Sequence, residues 1–263
     1  MINIRPYLLF LLISITMSLK AQQNFFRGNN KYVAPPQPNG STPANALDFD
    51  GIDDRVSGTN DDKFKLSSGT IEGWIKTSNA GTSYCAIFGK TFAYMAFLYN
   101  NELIIYDWGA ATNRSTGVLL NDNTWHHIAF TFNSGVNNGT LIYIDGVLRL
   151  TTTMSILSQE HFFTIGASVP TYGQFYKGSI DDVRVWNVIR TQPEIQTNMN
   201  KELIGNESGL IAYYTLNQGI AGDNNSAITT ILDKTSNALN ATLSGFTKNG
   251  TTSNFITGKV ISN

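Results

Sequence analysis

Tyr106 and Trp108 stand two residues apart in the run ELIIYDW, and in an extended strand that spacing turns both rings to one face. A ring with an apolar face and a polar tip suits stacking on a sugar, and Tyr172 in the loop 171–175 offers a third. The same spacing also suits the core of a sandwich, so both readings stand. A second chemistry comes from the D-G-x-D run at Asp50 and Asp53, whose carboxylates flank a turn with a backbone carbonyl near Gly51, hard oxygen donors of the kind calcium takes. The competing role for such an aspartate is to cap its own loop by accepting backbone N–H bonds. The run also lacks the remaining ligands of an EF-hand loop.

The other titratable residues are less promising. His126 and His127 are neighbours on a predicted strand, so their rings diverge and cannot share one ion. His161 is isolated. The pairs Asp53–Asp54, Asp61–Asp62 and Asp181–Asp182 are adjacent, which predicts that each splits its carboxylates between faces or loops. Glu72 alternates with Trp74 and is expected to line a groove, with no second carboxylate beside it in its strand. Neither a G-x-S-x-G nucleophile elbow nor a P-loop occurs.

These residues need elements to hold them, and the stretch Tyr176–Ile195 defines the architecture most sharply. Val183 and Val185 alternate with Arg184 and Trp186, the period of a strand covered unequally on its two sides. Thr191 then precedes Glu194 by three residues, a capping box that starts a short helix with Pro193 in its first turn. Elsewhere short β-branched and aromatic runs alternate with Gly, Asn and Asp clusters, the signature of an all-β sandwich. Strands are expected near 46–50, 70–77, 84–90, 93–99, 102–108, 125–132, 140–149, 162–167, 179–187 and 210–216. Asn100-Asn101 and Asp145-Gly146 favour positive φ and mark tight hairpins.

Composition narrows the setting. Arg5, the apolar run Tyr7–Leu19 and Ala21 read as a secretory signal peptide over 1–21, too short to cross a bilayer, which needs about 20 apolar residues. The expected address is therefore secreted or cell-surface. Four of the 7 prolines fall in 22–45, which reads as an extended spacer. The chain has 18 basic and 19 acidic residues, and 16 basic ones once Arg5 and Lys20 leave with the leader. Their scatter argues against nucleic acid as a partner, since a phosphate backbone calls for a clustered basic face. Cys85 is the one cysteine, so no intramolecular disulfide can form; it reads as a small buried hydrophobe, or else as one half of an intermolecular disulfide.

Four stretches in order, ALDFDGIDDRV (Ala46–Val56), GTIEGWIKT (Gly69–Thr77), NTWHHIAFTFN with LIYIDGVL (Asn123–Leu148) and GSIDDVRVWN (Gly178–Asn187), carry a resemblance. They are similar to the laminin-G-like jelly rolls of secreted bacterial proteins, related to pentraxins and to the concanavalin-A-like lectins and glucanases. The resemblance implies a two-sheet jelly-roll sandwich over 46–200, with Trp125–His127 as framework. It also adds Asp181 as a metal candidate, because DDVRVW resembles the DYVRVY of related glucanases, in which the first Asp helps bind a structural calcium. The E-x-D-x-x-E run that carries acid and nucleophile in those glucanases does not occur here, so the expectation is no enzyme. GLIAYYTLNQG (Gly209–Gly219) and the run from Ile231 resemble opening strands of the family; over 201–263 they either close the same sandwich or begin a second domain. Three function classes follow: a carbohydrate-binding, lectin-like module on extracellular glycan; an adhesive or structural protein that binds a cell-surface protein; and a polysaccharide hydrolase or lyase.

Overall fold

The computed structural model describes residues 45–78, 81–168, 173–259 and 261. The expected leader and the spacer up to residue 44 lie outside the described residues, as does Tyr172. Among the described residues no helix is long and apolar enough to cross a membrane.

Among the described residues sixteen strands form two antiparallel sheets. In sheet A the order is β10 (Val147–Thr152), β9 (Thr140–Ile144), β8 (His126–Asn133), β3 (Ser68–Lys76), β12 (Lys177–Trp186), β1 (Asn45–Asp50) and β16 (Asn254–Thr257), with β13 (Leu210–Tyr214) also paired to β12. In sheet B it is β14 (Thr230–Ile231), β15 (Ala241–Ser244), β2 (Arg55–Ser57), β11 (Phe163–Ile165), β4 (Cys85–Lys90), β5 (Tyr94–Tyr99), β6 (Glu102–Asp107) and β7 (Thr112–Leu119). This is the jelly-roll sandwich that the strand pattern and the resemblance predicted. β12 organises sheet A: along one side it pairs with β3, while on the other its first half takes β1 and its second half takes β13.

The inner faces follow the period of two except at a bulge in β4, where the neighbours Ile87 and Phe88 both turn inward. Ile71 and Ile75 of β3, Ile128, Phe130 and Phe132 of β8, and Val183 and Val185 of β12 point inward, against Ile87, Phe88, Tyr94, Leu98 and Ile105 of sheet B. Both predicted hairpins form, with positive φ at Asn100 and Asn101 and at Asp145 and Gly146. Strands β2, β7, β14, β15 and β16 escape the sequence reading because they are short or, like TNRSTGVL in β7, mostly polar.

The outer face of sheet A is covered over β9, β8, β3 and the second half of β12. Helix α1 (Gln192–Asn198) begins at the predicted capping box, where the Thr191 N–H donates to Glu194 Oε2 at 2.7 Å. Its Ile195 packs on Ala129 and Tyr143, and the side-chain amides of Gln192 and Gln196 both donate to the Gly146 carbonyl at 2.8 Å. The chain beyond the helix continues the cover, with the Trp74 indole donating to the Met199 carbonyl at 2.8 Å.

Under this cover lies a charged network. Arg184 donates to the carbonyls of Asn198 at 2.9 Å and Lys201 at 2.5 Å, pairs with Asp182, and lies 3.7 Å from Glu72. Trp186 Nε1 donates to Glu72 Oε1 at 2.9 Å, and His127 Nε2 lies 3.7 Å from Glu72 Oε2. Glu72 is therefore fully buried and lines no groove, contrary to the sequence expectation, because alternation places it on the outer face and α1 with its following turn closes over that face. The two histidines do diverge: His127 is buried beside Trp74, while His126 bonds Asp145 at 2.8 Å at the partly exposed surface. Asp181 and Asp182 do not split between faces. A bulge between Asp181 and Arg184, with φ of 54° at Asp182, breaks the alternation and buries both.

Candidate functional site

The outer face of sheet B carries a small aromatic cluster of its own over β4, β5 and β6, with Ala86, Met95, Phe97 and Ile104 buried beneath partly buried rings. The Asn-Asn hairpin fixes the register, pairing Phe97 with Ile104 and Tyr99 with Glu102, so the odd residues of β5 and the even residues of β6 share the outward side. Tyr106 and Trp108 fall on that side, outside the inter-sheet core, and pack with Tyr84, Tyr99, Met95, Phe97 and Ile104. The rings form a continuous ridge. Tyr99 stacks on Tyr84 at 4.5 Å, Tyr84 meets Tyr106 edge-on at 6.1 Å, Tyr106 meets Trp108 at 4.6 Å, and Trp108 reaches Phe92 at 4.8 Å.

The backbone under Trp108 is tied down from both sides. Buried Asp107 accepts the Ser155 N–H at 2.9 Å and the Ala110 N–H at 3.2 Å on one oxygen, and Arg114 at 2.7 Å on the other. The Gly109 N–H donates to the Ser155 carbonyl at 3.1 Å. Such anchoring holds a partly buried indole in a defined place, which lowers the ordering cost of a ligand that stacks on it.

Tyr84, Phe97, Tyr106, Trp108 and Gln174 line a cavity of about 200 Å³. Polar groups border it. The Tyr84 hydroxyl donates to Asn113 Oδ1 at 3.0 Å, and Gln174 Oε1 is buried with no hydrogen-bond partner among the described residues. An aromatic floor with amide edges matches the two faces of a sugar ring, apolar C–H above and hydroxyls at the rim. Sequence reasoning missed Tyr84, Tyr99 and Asn113, and it singled out the loop 171–175 without naming Gln174 in it. The first two were recoverable in part, since the Asn100-Asn101 turn dictates which β5 residues face Tyr106; Gln174 comes from a loop distant in sequence.

The acidic candidates separate. Asp50 and Asp53 come together with Asp54, one oxygen of each lying within 4.8 Å of the others, whereas Asp181 is not in the group. Asp181 is buried in β12, where its Oδ2 accepts the Lys259 N–H at 2.9 Å and burial drives its pKa well above the carboxylate range. Within the group, Asp50 Oδ1 accepts the Ile52 N–H at 2.7 Å, and Asp54 accepts the Asp50 N–H at 2.9 Å and the Ser253 hydroxyl at 2.8 Å. Burial pushes Asp54 up to about 6, against the pull of its two hydrogen bonds.

Residues 50–196 match the Laminin G model of the concanavalin A-like lectin/glucanases superfamily. A comparison with curated proteins gave no match. Among solved structures, a provisionally assigned carbohydrate-binding protein from Bacteroides ovatus aligns at 22% identity and a TM-score of 0.60, over 78% of this chain and 59% of its own. The chain thus spans somewhat over half the length of that relative. A SAP-like pentraxin from Limulus polyphemus aligns at 16% identity and a TM-score of 0.40, over 62% of this chain and 78% of its own. The CBM40 of the Ruminococcus gnavus IT-sialidase, solved with α2,3 sialyllactose, aligns at 12% identity and 0.43, over 60% of this chain and 99% of its own. With the family model covering more than half of its length, the chain belongs to the concanavalin A-like lectin/glucanases superfamily.

Proposed function

We propose that this protein is a secreted, non-catalytic carbohydrate-binding module that takes extracellular glycan on the outer face of sheet B. The observation that carries the reading is the anchored ridge of partly buried rings, Tyr99, Tyr84, Tyr106 and Trp108, bordered by Asn113 and Gln174. The likeness to the Bacteroides protein supports it, as does the leader expected at 1–21. Against catalysis stands the placement of Glu72, sealed under α1 and bonded to Trp186, where it reaches no substrate.

Two stacked rings at about 1 kcal/mol each and a few hydrogen bonds of similar net worth give dissociation constants in the micromolar to millimolar range. In affinity electrophoresis and a glycan array, Trp108→Ala is expected to weaken binding roughly 5- to 30-fold while the melting curve keeps its shape. Release of reducing ends or unsaturated products by the purified protein would overturn the non-catalytic claim. Silence on every glycan would transfer the reading to adhesion on a cell-surface protein.

We further propose that calcium is held by Asp50, Asp53 and Asp54 without Asp181. Three carboxylates in one turn are the hard donors the ion takes, though Asp54 already spends both oxygens on hydrogen bonds. The pH dependence tests this. With its folded pKa near 6 against an ordinary 3.8, Asp54 binds its proton more tightly in the native state, so by itself it favours folding at low pH and loses that contribution as pH rises through 6. An ion bound to the carboxylate would reverse the sign. Millimolar calcium is expected to raise the melting temperature by a few degrees at pH 7 and not at pH 4.5. No calcium effect at pH 7 would leave these aspartates as loop caps.

A further inference from the structure

We propose that a second cleft on the same outer face of sheet B, lined by Arg55, Ser57, Phe162, Phe175 and Thr242, is a subsite for a sugar that carries a carboxylate. This inference rests on the glycan reading above. The cleft measures about 500 Å³, enough for one or two sugar rings.

Strand alternation builds it. In β2, Val56 enters the core, so Arg55 and Ser57 face outward, and Thr242 of β15 stands opposite Ser57 as a second hydroxyl. On the other flank Phe163 enters the core at the start of β11, which turns Phe162 out into solvent at 46% exposure. Phe175 adds a partly buried ring. The cleft thus offers rings for the apolar face of a pyranose and hydroxyls for its rim.

What distinguishes it from the aromatic cavity is a cation. Arg55 makes no ion pair within 4.0 Å among the described residues, and its one hydrogen bond, Nη1 to the Asp53 carbonyl, is long at 3.4 Å. None of the residues lining the cleft is acidic. A guanidinium fork with unspent donors recognises a planar carboxylate through two parallel charge-assisted bonds, whereas a neutral sugar draws no such gain. The two sites also adjoin. Gly173 and Phe175 line this cleft and Gln174, between them, lines the aromatic cavity, so one three-residue segment separates the subsites. An oligosaccharide would lay a neutral unit on the ridge and a uronate against Arg55.

The test is an amide-resolved NMR titration of the whole protein with the methyl glycosides of glucuronate and galacturonate, beside their neutral parents of glucose and galactose. At least one uronide is expected to shift the amides of Ser57, Phe162 and Thr242 and to bind roughly 5- to 20-fold tighter than its parent at low salt. Raising the ionic strength should erode that preference, and Arg55→Gln should abolish it. Phe162→Ala should weaken the uronide without touching the ridge. Equal affinity of uronide and parent, a preference that survives Arg55→Gln, or the same shifts produced by acetate alone would overturn the subsite. Neutral oligosaccharide bound at Trp108 with no uronide response at Arg55 would overturn this inference and leave the glycan reading standing. Uronide binding at Arg55 that Trp108→Ala leaves unchanged, with no neutral glycan on the ridge, would support the subsite and overturn the ridge.

Discussion

Truncating the buried guanidinium in an Arg184→Met variant is expected to lower the unfolding free energy by about 3–5 kcal/mol, a large share of the stability of any single domain. The side chain is fully buried and its donors run to Asp182 and to the carbonyls of Asn198 and Lys201. Burial opposes its charge, but Asp182 and Glu72 outweigh burial and hold its pKa above the ordinary value. Methionine fills much of the volume but leaves two acids with no cation and two carbonyls with no donor. Burial already lifts Asp182 to about 6 despite Arg184 beside it, so loss of Arg184 drives it higher still. Replacing the acids too, as Arg184→Met with Glu72→Gln and Asp182→Asn, is expected to recover a good part of the loss. Urea unfolding of the single and triple variants measures both, and a single-variant loss below about 1 kcal/mol would show that the network is not the lock over sheet A that its geometry implies.

His127 gives the second large effect, visible as a change in pH dependence. Burial above all, and then the nearby Arg184, depress its pKa from 6.5 to about 3, with Asp145 opposing. The unfolded chain therefore takes a proton near pH 6.5 that the native state refuses. The stability His127 contributes is complete above pH 6.5 and is lost as pH falls toward 3. Between pH 7 and 4 that amounts to about 3 kcal/mol at 1.36 kcal/mol per pKa unit. Asp54, Asp181 and Asp182, all raised by burial, act in the opposite direction, so the net acid response of the wild type is smaller than this. The clean readout is a difference. Relative to wild type, His127→Gln is expected to gain about 3 kcal/mol on going from pH 7 to pH 4, whatever its stability at pH 7. Parallel pH profiles for the two proteins would contradict a neutral, buried imidazole.

The alternation of Val183 and Val185 with Arg184 and Trp186, the capping box at Thr191 and the two hairpin turns were written in local sequence, because each depends on residues within a few positions of one another. So was the sharing of one face by Tyr106 and Trp108, and the four ordered motifs carried the jelly roll. Which side of each sheet meets water was not local. Glu72 and Tyr106 both sit on outward faces of their strands, yet one is sealed under α1 and the other is only partly buried, since the cover comes from a segment more than a hundred residues away. The aspartates teach the same lesson: Asp54 joins Asp50 and Asp53 within one turn, whereas the bulge at Asp182 and the backbone of Lys259 bury Asp181 elsewhere. Arg55 next to Phe162, and Gln174 beside Trp108, are meetings that only the packing of strands and loops decides. A period of two tells a side chain which way to point; only the packed sheets decide what it finds there.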